Sequence, residues 1–82
     1  MKPWFVYILQ CADNSLYTGT TIDIASRFAA HKTGKGAKFT RSRGAKKILY
    51  SEKFSAKSDA MKREREIKGL SRKEKLALIS YS

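Results

Sequence analysis

Hydrophobic positions are continuous near the start of the chain and interrupted by polar residues further on. The run Trp4–Leu9 is aromatic and β-branched without polar alternation, which predicts a strand over residues 4–10 that is buried on both faces. The turn-forming residues Ala12–Asn14 come next, and Ser15–Thr20 is typical of a second strand. The two strands together predict a β-hairpin.

The length of the turn decides where two tyrosines of this hairpin point. A two-residue turn places Tyr17 on the face opposite to Tyr7. A three-residue turn over Ala12–Asn14 pairs Leu9 with Tyr17, and both tyrosines then share a face. Asn14 tolerates the left-handed conformation that the longer turn needs at its last position, so we predict the shared face.

Capping and helix-breaking residues divide the rest of the chain. Thr21 or Asp23 can cap a helix that stops at Gly34, Ser55 can cap another that ends at Gly69, and a capping box opens the last. The predicted elements are a helix to about Lys32, a loop over Lys35–Lys46, a strand over Lys47–Phe54, a helix over about Ala56–Lys68 and a helix over about residues 71–80. The order ββαβαα predicts an α+β domain, a small three-stranded antiparallel sheet flanked by helices.

Length and composition indicate one domain over residues 1–82. The 82 residues allow a single modest core, and 41% hydrophobic residues with 11% aromatics can form it without metals or disulfides. Every apolar run is shorter than the roughly 18 residues of a membrane span, and the start lacks a signal-peptide pattern. We therefore expect a cytoplasmic protein with no membrane partner, in which the single Cys11 is a core residue.

The charge of the chain is strongly positive, with 18 Lys and Arg against 7 Asp and Glu and a net charge of +11. Such a surface attracts phosphate backbones, so we expect a nucleic-acid partner, although a solubilising surface is the alternative. The stretch from residue 32 to residue 47 holds cations and no acid. The residues expected to contact nucleic acid are Gly19, Lys32, Lys35, Lys38, Arg41, Arg43, Lys46, Lys47 and Lys68.

Four residues fit the predicted elements poorly. Glu64 falls within the apolar stripe of its helix, where a carboxylate is costly to desolvate and must be either salt-bridged or functional. Arg27 and His31 are four residues apart and share a helix face, which is either an exposed polar face or part of a site. Gly19 near a strand end marks either a β-bulge or the close approach of a ligand or another backbone.

These residues occur in a recognisable order: Phe5-Val6-Tyr7, Tyr17-Thr18-Gly19, Arg27, His31 and Ala60-Met61-Lys62-Arg63-Glu64. Their order and spacing over about residues 4–68 resemble the GIY-YIG nuclease domain, in particular the small stand-alone bacterial members. The resemblance implies a Mg²⁺-dependent endonuclease, Mn²⁺ being another suitable metal, without a small-molecule cofactor. We expect it to act as a monomer on DNA in preference to RNA, on branched, terminal or single-stranded sites.

The resemblance also implies roles for individual residues. Tyr7, Tyr17, Arg27, His31 and Glu64 correspond to the catalytic positions, with Glu64 as the metal ligand. Either tyrosine can serve as general base or water positioner once nearby cations lower its pKa. The chain departs from the family in lacking the asparagine that many members carry after the glutamate. The alternative is therefore a catalytically weak or inactive DNA- or RNA-binding accessory protein that uses the same basic surface.

Overall fold

The central strand of the sheet is the apolar run near the start of the chain. The computed structural model describes residues 2–36 and 38–81. Strand β1 (Trp4–Cys11) pairs antiparallel with β2 (Leu16–Thr21) on one edge and with β3 (Ala45–Phe54) on the other, giving the order β2-β1-β3. Because β1 has neighbours on both edges and helices over both faces, its side chains are apolar on both sides. The predicted three-stranded antiparallel sheet is confirmed.

The hairpin between β1 and β2 has the three-residue turn. The Cys11 amide donates to the Ser15 carbonyl over 2.8 Å, and Asn14 has a φ of 69°, in the left-handed region. The resulting register sets Leu9 opposite Tyr17 and continues without a shift along the strand pair. The predicted shared face of the two tyrosines is therefore confirmed.

Three of the helices lie close to their predicted ranges, and two of them have a predicted cap. Helix α1 (Ile24–Lys32) is capped by Asp23 and not by Thr21, because the Asp23 carboxylate accepts the Ser26 amide at 3.1 Å. Helix α3 (Lys57–Lys68) follows Ala56, which caps it without a side-chain hydrogen bond, so the prediction of Ser55 as the cap is wrong. Helix α4 (Arg72–Ser80) opens with the predicted capping box. Among the described residues, no helix combines the length and the apolar content needed to cross a membrane.

The stretch of residues 32–47, called the basic segment below, differs from the prediction of a loop over Lys35–Lys46. It contains the short helix α2 (Lys38–Arg43), and β3 begins at Ala45, two residues earlier than predicted. Gly44 follows the last residue of α2, and its φ of 76° lets the chain turn directly into the sheet. The six residues of α2 show no hydrophobic periodicity. Its anchor is the hydroxyl of Thr40, which is fully buried against α1.

The two faces of the sheet hold separate apolar clusters. On the side of α3 and α4 the fully buried members are Val6, Ile8, Ala60 and Ile67. On the side of α1 they are Tyr7, Leu9 and Cys11, with Phe28 packed against them. The prediction of Cys11 as a core residue is confirmed by its complete burial. The second cluster is the one that holds the tyrosines of the candidate site.

Truncation of Ile67, which is fully buried, tests the α3 side of this core. We expect Ile67→Ala to lower the free energy of unfolding by about 2–5 kcal/mol, because it removes buried methylenes and leaves a cavity. Leu76→Ala on α4 is the control. Because Leu76 is 41% exposed, its truncation should lower the free energy of unfolding much less. Urea unfolding followed by circular dichroism measures both, and equal losses would contradict this account of the core.

Candidate active site

Two tyrosines stand side by side over a glycine at the β1–β2 pair. Tyr7 lies directly opposite Gly19, and the ring centroids of Tyr7 and Tyr17 are 6.3 Å apart. A Cβ atom on Gly19 would lie 2.6 Å from the Tyr7 hydroxyl and 3.0 Å from the Tyr17 ring. Since the β1–β2 register is regular, the alternative of a bulge at Gly19 is wrong. The glycine leaves the space that both rings occupy.

His31 reaches the same point from α1. Its Nε2 lies 2.9 Å from the Tyr7 hydroxyl, and its Nδ1 lies 2.7 Å from the hydroxyl of Thr40. The imidazole is only 1% exposed and contacts the Tyr17 ring edge-on at 5.4 Å between centroids. The alternative of an exposed polar face therefore does not hold for His31.

Arg27 lies one helical turn before His31 and is half-buried. Its guanidinium interacts with the hydroxyls of Tyr7 and Tyr17, and the interaction with Tyr7 raises the pKa of Arg27. Burial raises the pKa of Tyr7 above its usual range, and the hydrogen bond and charge of Arg27 only partly oppose this. The expectation that nearby cations lower the pKa of this tyrosine is wrong for Tyr7, because desolvation outweighs the single guanidinium.

Glu64 on α3 is near enough for its charge to act on the Tyr7 hydroxyl. Its side chain is 16% exposed, and its negative charge is one of the causes that raise the pKa of Tyr7. Lys68 pairs with it at 3.6 Å, yet the Lys68 side chain is 54% exposed. An exposed pair of this spacing contributes only about 0.3–0.5 kcal/mol, which is too little to offset the desolvation of a mostly buried carboxylate.

The donor set suits a single hard cation. In the described parts of the chain, no group of three or more His, Cys, Asp or Glu side chains could hold a metal ion. Glu64 is the one carboxylate that acts on the Tyr7 hydroxyl. Mg²⁺ commonly binds through one or two carboxylates and keeps water and phosphate oxygens as its other ligands. Glu64 is therefore a suitable ligand for Mg²⁺.

The predicted nucleic-acid contacts differ in their surroundings. Arg43 forms an ion pair with Asp13 at 2.9 Å, and Lys32 lies over the Phe28 ring at 5.6 Å. Lys68 is the partner of Glu64. The exposed cations of the basic segment are Lys32, Lys35, Lys38, Arg41, Arg43, Lys46 and Lys47. Their contact with nucleic acid, like that of Gly19, stays a prediction.

Two residues next to His31 do not stand out in the sequence. Thr40 supplies the hydroxyl on Nδ1, and Gly36 passes so close that an added Cβ would lie 2.1 Å from Nδ1. Both lie in the basic segment, where the charges indicate a solvated loop. The available signal is weak: a glycine and a threonine a few residues after the only histidine.

The comparisons with known proteins show the family of the chain. The family model described as the GIY-YIG catalytic domain matches residues 3–77. A UPF0213 protein of Staphylococcus haemolyticus is 52% identical over 79 residues, covering 96% of each chain. A UPF0213 protein of Oceanobacillus iheyensis is 54% identical over 77 residues, covering 94% of this chain and 90% of the relative.

Solved structures show the same architecture. The solution NMR structure of a UPF0213 protein from Bacillus halodurans superposes with a TM-score of 0.64 at 45% identity, covering 98% of this chain and 85% of that one. The solution NMR structure of a protein from E. faecalis superposes with a TM-score of 0.63 at 33% identity, covering 99% of this chain and 88% of that one.

The fold and the cluster around Tyr7 define a small domain with a nuclease-type fold. The chain belongs to the GIY-YIG family, and the relatives it matches are small UPF0213 proteins. The residue roles implied by the family remain predictions for this chain.

We expect the histidine to titrate below its usual pKa of about 6.5. Burial lowers the pKa of His31, and the positive charge of Arg27 lowers it further. The unfolded chain then accepts a proton that the folded protein resists. The free energy of unfolding is therefore highest above about pH 6.5 and decreases as the pH falls from there toward the folded pKa.

An NMR titration of the His31 ring measures the folded pKa directly, because the chain contains a single histidine. Urea unfolding at about pH 7.5 and about pH 5.5 measures the linkage, with His31→Gln as the control that removes it. A ring pKa above about 6.5 together with equal pH dependence in the two proteins would contradict the effect of burial.

Proposed function

We propose that this protein is a metal-dependent endonuclease that hydrolyses phosphodiester bonds of DNA, with Mg²⁺ as the metal and Mn²⁺ as a substitute. The observation that carries the proposal is the cluster at Tyr7: His31 Nε2 lies 2.9 Å from its hydroxyl, the Tyr17 ring is packed beside it, and the charges of Arg27 and Glu64 both act on its pKa. A cation, a neutral base and a carboxylate around one buried phenol exceed what packing requires.

Tyr7 is the better candidate for the general base. Its hydroxyl has His31 Nε2 at 2.9 Å as a proton acceptor, and Arg27 is placed to stabilise the phenolate. The raised pKa of Tyr7 means that it reacts as a phenol that loses its proton during the step. Tyr17 then lines the pocket, with its ring packed against the rings of Tyr7 and His31.

The chemistry divides among the remaining residues. Arg27 binds a phosphoryl oxygen with its planar fork and stabilises the charge that develops there. Tyr7 accepts a proton from the attacking water while its own proton passes to His31. The metal, held by Glu64 when bound, neutralises the charge of the phosphate oxygens. The leaving oxygen takes its proton from solvent.

An open groove beside Arg27 supports an extended substrate. It has a volume of about 500 Å³ and runs along the start of α1, with Lys2 and Ser26 also in its walls. The exposed cations of the basic segment add further positive charge to the surface. Contacts of this kind follow the backbone of a strand and favour recognition of shape, such as branches, ends or single strands, over sequence.

Glu64→Gln separates cleavage from stability. We expect cleavage of branched or single-stranded DNA in Mg²⁺ to fall on the order of 100-fold or more, because the neutral amide is a poor ligand for the metal. The free energy of unfolding should hold or rise, since the lost pair with the exposed Lys68 contributes only about 0.3–0.5 kcal/mol and the neutral amide is less costly to desolvate. Nucleic-acid binding should stay equal or strengthen.

Glu66→Gln on the same helix is the matched control. Glu66 is 55% exposed and pairs with Arg63 at 3.4 Å, so its loss should leave cleavage unchanged. Equal cleavage by the wild type and Glu64→Gln would refute the metal-binding role of Glu64. No cleavage of DNA or RNA by the wild type with either metal would refute the endonuclease. A basic binding protein would then be the remaining function.

Binding to DNA should weaken steeply with salt and depend little on sequence. For duplex DNA, the slope of log affinity against log salt is about −0.9 for each phosphate contacted. We expect Lys38→Ala with Arg41→Ala to reduce that slope by about 2 in a fluorescence anisotropy titration without metal. The control is Lys62→Ala with Lys73→Ala, two exposed lysines outside the basic segment. Equal slopes for both pairs would exclude α2 as a contact surface.

A further inference from the structure

A buried chain of three polar groups connects the site to α2. The Tyr7 hydroxyl, the His31 imidazole and the Thr40 hydroxyl are linked at 2.9 Å and 2.7 Å. All three residues are at most 1% exposed. Thr40 comes from the segment that the sequence indicates as a solvated loop, so its complete burial on an imidazole nitrogen requires an explanation.

The distances alone leave the tautomer of His31 open, because each hydroxyl can donate or accept. The interaction of Tyr7 with Arg27 favours one of the two tautomers. Arg27 interacts with Tyr7 and has no acceptor atoms, so the phenol oxygen can only act as an acceptor toward the guanidinium. The phenol proton is then available for Nε2. A phenol is also a much stronger donor than an aliphatic hydroxyl, which favours the lone pair on Nε2 and the proton on Nδ1.

The surroundings of Nδ1 favour the same arrangement. Gly36 lies against that edge of the ring, where even a Cβ atom would approach Nδ1 to 2.1 Å. The backbone there leaves little room for a water molecule, and an unpaired buried N–H group costs about 1–3 kcal/mol. Thr40 is therefore placed to accept the Nδ1–H proton.

We propose that Thr40 is a positioning residue that accepts the Nδ1–H of His31 and so turns the lone pair of Nε2 toward the Tyr7 hydroxyl. This inference rests on the proposed function for its catalytic meaning. In the reaction the O–H bond of Tyr7 breaks, its proton forms a bond to Nε2, and the phenol oxygen takes a proton from the attacking water. Nδ1–H stays on Thr40 throughout, so His31 passes from neutral to positively charged.

The tautomer of His31 can be determined by NMR, without an activity assay. We expect a long-range ¹H–¹⁵N NMR spectrum of the wild-type protein at about pH 8 to show His31 protonated on Nδ1, with one set of signals because the chain has a single histidine. A ring protonated on Nε2 would overturn the inference even if the protein cleaves DNA. The Nδ1–H tautomer in a protein that cleaves nothing would support the positioning of His31 and refute the proposed function.

Thr40→Val and Thr40→Ser form the matched pair of variants. Valine keeps the shape and removes the acceptor, so we expect a mixed or Nε2–H tautomer and a fall in kcat on the order of 10-fold with KM nearly unchanged. Serine keeps the hydroxyl and should retain the wild-type tautomer and most of kcat. If the valine variant unfolds, the tautomer of the wild type and the tautomer and kcat of Thr40→Ser still test the inference. An unchanged tautomer and kcat in Thr40→Val would overturn it.

Discussion

The buried hydroxyl of Tyr7 is the constraint on which the rest of the site depends. Tyr7 lies on the central strand and is only 1% exposed, so its polar atom must find partners inside the protein. Gly19 leaves the space for it on the neighbouring strand, and the guanidinium and imidazole of α1 approach it from one helix face. Without those partners the hydroxyl would cost about 1–3 kcal/mol, so the docking of α1 and the assembly of the site are one event.

Opposing electrostatic effects meet at this point. Burial and the charge of Glu64 raise the pKa of Tyr7, while Arg27 lowers it, and the net pKa is raised. A chain with a net charge of +11 nevertheless keeps a carboxylate only 16% exposed, with a solvent-exposed lysine as its ion-pair partner. The weakly compensated carboxylate costs stability, which is common where a residue is retained for a role other than folding.

The tyrosine pair and the basic segment show why local signals succeed in one place and fail in another. The register of the hairpin depends on the turn, and Asn14 with its left-handed φ determines that turn, so the shared face of the tyrosines follows from neighbouring residues. Helix α2 has no such signal. Its buried residue Thr40 is held by a histidine nine positions away, and the charges around it indicate a loop.

The sequence by itself determines the sheet, the three longer helices and the set of residues that meet at the site. Each follows from patterns a few residues long: a continuous apolar run, a turn residue, capping residues and the spacing of motifs. Only the tertiary structure decides the short helix α2, the contacts of Thr40 and Gly36 with His31, and the direction of the Tyr7 pKa. These depend on burial and on atoms brought together from distant parts of the chain, and neither quantity is encoded in the local pattern.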